Sequence, residues 1–180
     1  IISHSNALGS ASGKTVVNSG NGAASSRGGQ LILRGGLTLS EPLELVGVGD
    51  GGYSGALIND TGDNVLNGPV VLTSSSRFQS YSLTGSLRFR GGMTGNSTFT
   101  FAYGKGIVSD TPFSLGSGWM YVHSGDLTLE VGGNSWTSTS IGWDGLLRAG
   151  AVNVLPADKP IEMGAYDAGN PSTAGKGILD

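Results

Sequence analysis

Four carboxylates, Asp126, Asp144, Asp158 and Glu162, are the side chains of this chain whose spacing could serve acid–base chemistry. Glycoside hydrolysis needs two carboxyl groups about 5–9.5 Å apart that face one groove. Successive turns of a coiling chain could bring Asp126 beside Asp144, or Asp158 beside Glu162. Against that, no Asp-Asp or Asp-x-Asp cluster occurs, and no basic residues that would hold an acidic sugar accompany the acids. The reading taken from the sequence is therefore non-enzymatic, with no residue assigned to catalysis, to a cofactor or to a metal. A carbohydrate-active lyase or hydrolase is the rival reading.

The other candidates are weaker. Gly9-Ser10-Ala11-Ser12-Gly13-Lys14-Thr15 is one residue short of a phosphate-binding loop, and neither a buried strand before it nor a helix after it would hold a phosphate. A corner before a strand is the better reading. His4 and His123 have no Asp, Glu or His neighbour at metal-ligand spacing, and His123 is expected to be exposed at the end of a coil. Asp60-Thr61-Gly62-Asp63-Asn64 offers oxygen ligands in a turn but fits neither an EF-hand loop nor a Gly-Gly-x-Gly-x-Asp repeat, so it reads as a solvated loop. Asn59-Asp60-Thr61 and Asn96-Ser97-Thr98 match the N-glycosylation acceptor. Trp119, Tyr121, Trp136 and Trp143 gather in the C-terminal half, where exposed rings stack on sugars or anchor partners. Core filling is the reading preferred for them.

The elements that must position these groups are short strands. Leu31-Ile32-Leu33, Leu37-Thr38-Leu39, Leu43-Glu44-Leu45, Val70-Val71-Leu72, Leu87-Arg88-Phe89, Phe99-Thr100-Phe101, Phe113-Ser114-Leu115, Leu127-Thr128-Leu129 and Val152-Asn153-Val154 all carry the period-2 signature of a half-buried strand. Between them lie corners such as Arg34-Gly35-Gly36, Gly91-Gly92 and Val131-Gly132-Gly133-Asn134. No 3.6-residue period persists, and the stretch 156–163, with two prolines, reads as a loop. The 33 glycines and 13% charged residues exclude an ordinary disordered composition. A net charge of −3 gives no footprint for nucleic acid, and the absence of cysteine excludes disulfides. Strands this short, with a corner every few residues, predict a coil-by-coil solenoid of roughly seven to nine rungs at about 20–25 residues each.

One segment carries a family resemblance. Ser124-Gly125-Asp126-Leu127-Thr128-Leu129-Glu130-Val131-Gly132-Gly133-Asn134-Ser135-Trp136 runs on through Thr137-Ser138-Thr139-Ser140-Ile141 to Gly145-Leu146-Leu147-Arg148. It resembles the autotransporter-associated β-strand repeat, with Trp136 in the aromatic place, Ser138 where glycine is usual and Ile141 in place of valine. The stretches around Asn6-Ala7-Leu8-Gly9, Thr15-Val16-Val17-Asn18-Ser19-Gly20, Gly55-Ala56-Leu57-Ile58-Asn59, Leu66-Asn67-Gly68-Pro69-Val70 and Ala151-Val152-Asn153-Val154-Leu155-Pro156 resemble parts of such passenger domains. The resemblance implies a parallel β-helix displayed on, or shed from, a Gram-negative outer membrane, often in adhesion or biofilm roles. It brings no catalytic residues.

The expectation is an all-β, right-handed parallel β-helix, three-faced, with residues 1–180 forming a single segment of a longer passenger-like protein. Leu31, Leu33, Leu39, Leu45, Leu72, Phe89, Phe101, Leu115, Leu127, Leu129 and Val154 are expected to point inward. The expected role is a non-catalytic structural and adhesive scaffold at the bacterial surface, with a glycan or protein ligand and with membrane contact only through an anchor or barrel elsewhere. Ile1-Ile2 and Ile178-Leu179-Asp180 are strand-like, which suggests end-to-end association into a fibre unless the loop 156–171 folds over one end.

Overall fold

The computed structural model describes residues 1–19, 28–50, 55–164 and 176–180. Gly20 and the part of the 156–171 loop beyond Gly164 lie outside them. Short strands follow one another around three parallel sheets that stack as a β-solenoid of about six turns. The first sheet joins β1 (Thr15–Asn18), β4 (Leu43–Val46), β7 (Val70–Leu72), β10 (Met93–Gly95) and β13 (Phe113–Ser114). The second joins β2 (Leu31–Arg34), β5 (Leu57–Thr61), β8 (Ser76–Ser80), β11 (Phe99–Ala102), β14 (Met120–His123), β16 (Thr139–Gly142) and β18 (Ile161–Met163). The third joins β3 (Thr38–Leu39), β6 (Asn64–Leu66), β9 (Ser86–Phe89), β12 (Lys105–Val108), β15 (Asp126–Leu129), β17 (Leu146–Ala149) and β19 (Ile178–Leu179).

Every pairing between these strands is parallel, and the side chains stack in columns along the rod. Leu31, Leu57, Phe78, Phe101, Val122, Ile141 and Met163 occupy one column of the second sheet. Leu39, Leu66, Phe89, Val108, Leu129 and Ala149 form another on the third. The alternating strands put these apolar residues inside, except Ala149 and Met163 at the C-terminal end of their columns, which are exposed, because only one face of each sheet meets the core. The expected inward residues, from Leu31 through Leu129 to Val154, are all buried. The chain's five phenylalanines fill the middle of the rod from all three sheets: Phe89 packs edge-on against Phe78, Phe99 and Phe113, with ring centroids 5.4, 5.7 and 5.4 Å away.

Three expectations need correction. The rod has about six turns rather than seven to nine. The first coils are longer than assumed: Leu31 and Leu57 are consecutive in their column, as are Thr15 and Leu43 in the first sheet. Val152-Asn153-Val154 is a turn, with Asn153 at φ 53° and Val152 exposed; only Val154 reaches the core. Conversely, the stretch read as a loop contains β18, whose backbone pairs with β16 despite the prolines before it.

The segment that carries the repeat resemblance runs from β15 across β16 into β17, and its polar signature has a structural reason. Asn134 is buried at the corner before β16, where its Oδ1 accepts the Phe113 amide at 2.8 Å and its Nδ2 donates to the Val131 and Val154 carbonyls at 2.7 and 2.9 Å. It thereby satisfies backbone groups of three coils that the corner leaves without ladder partners. Trp136 enters the core, and its Nε1 donates to Thr139 Oγ1 at 2.8 Å. Such a buried indole needs that partner.

Candidate binding face on the second sheet

On the outer side of the second sheet, Gln79, Ala102, His123 and Gly142 stand in register on four successive rungs. The next residue on three of these rungs, Tyr103, Ser124 and Trp143, has φ of 58°, 57° and 54°. This left-handed conformation is uncommon for a bulky residue, and here it turns the chain sharply towards the third sheet. It also lays the side chain back across the sheet. Tyr103 stacks on Tyr81 at 6.0 Å and meets the His123 ring edge-on at 6.4 Å. Trp143 stacks on the other side of His123 at 5.4 Å, and Tyr121 approaches the same imidazole edge-on at 5.5 Å. Ser124 brings no ring, and its Oγ donates instead to the Trp143 carbonyl at 2.7 Å.

A continuous band of rings, Tyr81, Tyr103, His123 and Trp143 with Tyr121 beside it, thus crosses four rungs. The neighbours of His123 in its own row, Ala102 and Gly142, are small and buried, which leaves room for the rings to lie flat. The Arg77 guanidinium sits 5.9 Å from the Tyr103 ring centroid, a cation–π arrangement. Burial first, and then the Arg77 charge, hold the His123 imidazole below its ordinary pKa against a smaller opposing effect of a backbone hydrogen bond. Burial raises the Tyr81 and Tyr121 phenols, and Arg77 opposes both shifts.

Two open grooves of about 570 Å³ each border this band. One lies at the corner towards the third sheet, among Tyr81, Ser82, Leu83, Tyr103, Lys105 and Asp126. The other lies at the opposite margin of the sheet, among Thr98, Trp119, Tyr121, Ser138, Ser140 and Glu162. Tyr81, Tyr103 and Trp119 are 48, 42 and 53% exposed, so the band and both grooves present ring surface to solvent.

Comparison with known proteins gives no relative. No protein-family model, curated protein or solved structure matches the chain.

The residues singled out in the sequence fall as follows. Asp126 is engaged by Arg148, with Nε 3.1 Å from Oδ1, and Asp144 accepts the Lys176 amide at 3.0 Å. Glu162 lies in the second groove, whereas Asp158 is in the turn before β18 with φ 55°. Among the described residues, no group of three or more His, Cys, Asp or Glu could hold a metal ion. The Gly9–Thr15 stretch is a turn at Ser10–Gly13 that leads into β1, and Lys14 pairs with Glu44 at 2.5 Å. Asp60-Thr61-Gly62-Asp63-Asn64 is not simply a solvated loop. Asp60 pairs with Arg34 at 2.6 Å, and Asn64 is buried, donating to Asn59 and accepting the Leu37 amide. Asn59 is buried too and donates to Ser80 Oγ, so its glycosylation motif is inaccessible.

His123 is half-buried in the middle of the second sheet, not exposed at a coil end. Core filling holds for Trp136 alone of the four aromatics, since Trp119, Tyr121 and Trp143 face outward. Sequence reasoning passed over Tyr81 and Tyr103. The signal that could have found them is recurrence: Tyr81, Tyr103, His123 and Trp143 each follow their predecessor by about one coil.

Proposed function

We propose that this chain is a non-catalytic structural and adhesive scaffold, a stiff β-solenoid segment of a bacterial surface protein that presents its second sheet to a ligand. The observation that carries this reading is the ring band of Tyr81, Tyr103, His123 and Trp143. Its rings stand at the ends of strands whose backbone is paired on both sides, His123 closing β14 and Tyr81, Tyr103 and Trp143 each following the last residue of β8, β11 and β16, so the surface is fixed before any partner arrives. Preorganised aromatic surface gives contact area at small cost in side-chain order. The autotransporter-like repeat supports the surface setting, because the segment that resembles it maps onto a rung of the rod.

Retention of the purified chain on bacterial cells, host cells and immobilised polysaccharides tests the reading, with reducing ends assayed in the same tubes. Retention without new reducing ends is expected. Chain cleavage that disappears in Asp126→Asn or Glu162→Gln would move the protein to the carbohydrate-active class. Retention on none of these surfaces would remove the adhesive role.

A further inference from the structure

We propose that the groove between Trp119 and Tyr121 is a binding site for an extended, uncharged glycan lying along the rod axis. The inference rests on the adhesive reading above and names the ligand of one part of that face. The groove lies between two columns. Backbone hydrogen bonds from Phe99 to Trp119, from Met120 to Ser138 and from Thr139 to Pro160 line up Thr98, Trp119, Ser138 and Pro160 on successive rungs. Strand register lines up Thr100, Tyr121, Ser140 and Glu162 beside them. The trough therefore runs parallel to the rod and changes its side chains once per rung, about every 4.8 Å. That step is close to the length of one sugar ring, so an elongated chain of pyranoses can present one ring per rung.

The chemistry of the walls selects the ligand. Trp119 and Tyr121 supply ring surface, on which the apolar C–H face of a pyranose stacks. Thr98, Ser138 and Ser140 supply hydroxyls that both donate and accept, and the Glu162 carboxylate accepts hydrogen bonds from sugar hydroxyls. Glu162 is the only charged residue among the described residues lining the groove, so a polyanionic glycan would be repelled. A peptide is disfavoured for a different reason. Strand addition needs unpaired backbone, and β11, β14 and β16 are interior strands paired on both sides.

Titration calorimetry and tryptophan fluorescence with cellohexaose and mannohexaose, beside hexagalacturonate and a trimethyllysine peptide, test the proposal. Binding of a neutral hexasaccharide at about millimolar concentration or below is expected, with hexagalacturonate weaker. Trp119→Ala and Tyr121→Ala should each weaken it at least about tenfold, a loss of roughly 1.4 kcal/mol. Glu162→Gln should weaken it less, and Val16→Ala, exposed on the first sheet away from both grooves, should leave it unchanged. Unfolding midpoints of the variants separate a folding defect from lost binding, and Glu162→Gln on the exposed β18 serves as the variant least able to disturb the core.

Binding that survives Trp119→Ala overturns the site, and so does tighter binding of the acidic hexamer or of the trimethyllysine peptide. No binding of either neutral hexasaccharide by a chain that is still retained on cells overturns the groove but leaves the adhesive reading standing. Retention on no surface defeats that reading, and the groove falls with it.

Discussion

Trp143 lies over His123 with ring centroids 5.4 Å apart and planes 30° apart, although the two belong to successive rungs. The register explains how. His123 pairs with Gly142, and the left-handed turn at Trp143 directs the indole back over the imidazole. Gly142 has no side chain to keep them apart. One backbone angle and one small residue thus convert a corner of the solenoid into a stacking surface.

This arrangement has a pH signature. The groups around His123 are Arg77, Tyr103, Tyr121 and Trp143, of which only Arg77 is charged near neutrality. Burial, and next the Arg77 charge, lower the pKa of the folded imidazole from the ordinary 6.5. The unfolded chain therefore takes up this proton first, and the folded state loses relative stability as pH falls below about 6.5. The loss levels off once pH has passed the lowered folded value. Urea midpoints between about pH 8 and 5 should show this decline in the native chain and a shallower one in His123→Asn. Identical profiles would mean that His123 is as free to protonate folded as unfolded.

At Trp143, glycine and alanine should behave differently. Both remove the ring, but alanine keeps the left-handed penalty of about 1 kcal/mol or more, which glycine escapes. Trp143→Ala should therefore unfold at lower denaturant than Trp143→Gly, while both lose the ring surface. Denaturant titration of the pair checks this. Equal midpoints would show that the corner adjusts its backbone when the indole is gone.

Within β15, Leu129 is fully buried whereas its neighbour Thr128 is only partly so. Leu129→Ala should destabilise by about 2–5 kcal/mol and Thr128→Ala by less than about 1 kcal/mol. Chemical denaturation of the two variants decides it, and comparable losses would contradict the assigned faces of this strand.

The inward faces were legible because alternation is local: Leu127-Thr128-Leu129 declares its buried side without reference to other strands. The number of turns was not, since it depends on corner lengths such as that between Val46 and Leu57, which no periodicity governs. Val152-Asn153-Val154 has the same apolar-x-apolar pattern as a strand, yet the positive φ at Asn153 makes it a turn. The aromatic face was half legible. Trp119, Tyr121 and Trp143 were visible as aromatics, but their union with Tyr81, Tyr103 and His123 depends on register between coils. Buried Asn59, Asn64 and Asn134 read as loop polar residues because their partners are backbone and side-chain groups of neighbouring coils.

Register also decides which corner glycines can be replaced. Gly62 and Gly133 share the same φ of 81°, so an alanine at either meets the same backbone penalty of about 1 kcal/mol or more. Their surroundings differ. A Cβ at Gly62 would lie 2.6 Å from the Gly36 amide nitrogen of the preceding coil, whereas one at Gly133 would meet nothing within 4 Å. The contact at Gly62 is with backbone, which cannot swing aside as a side chain would. Relieving it means separating two coils at the corner where Asn64 is buried. Gly133→Ala should thus cost about 1–2 kcal/mol, and Gly62→Ala clearly more, because overpacking adds about 1–3 kcal/mol to the shared penalty. Urea denaturation of the two variants measures the difference directly. A Gly62→Ala chain no less stable than Gly133→Ala would mean that neighbouring coils do not approach as closely there as the stacking requires.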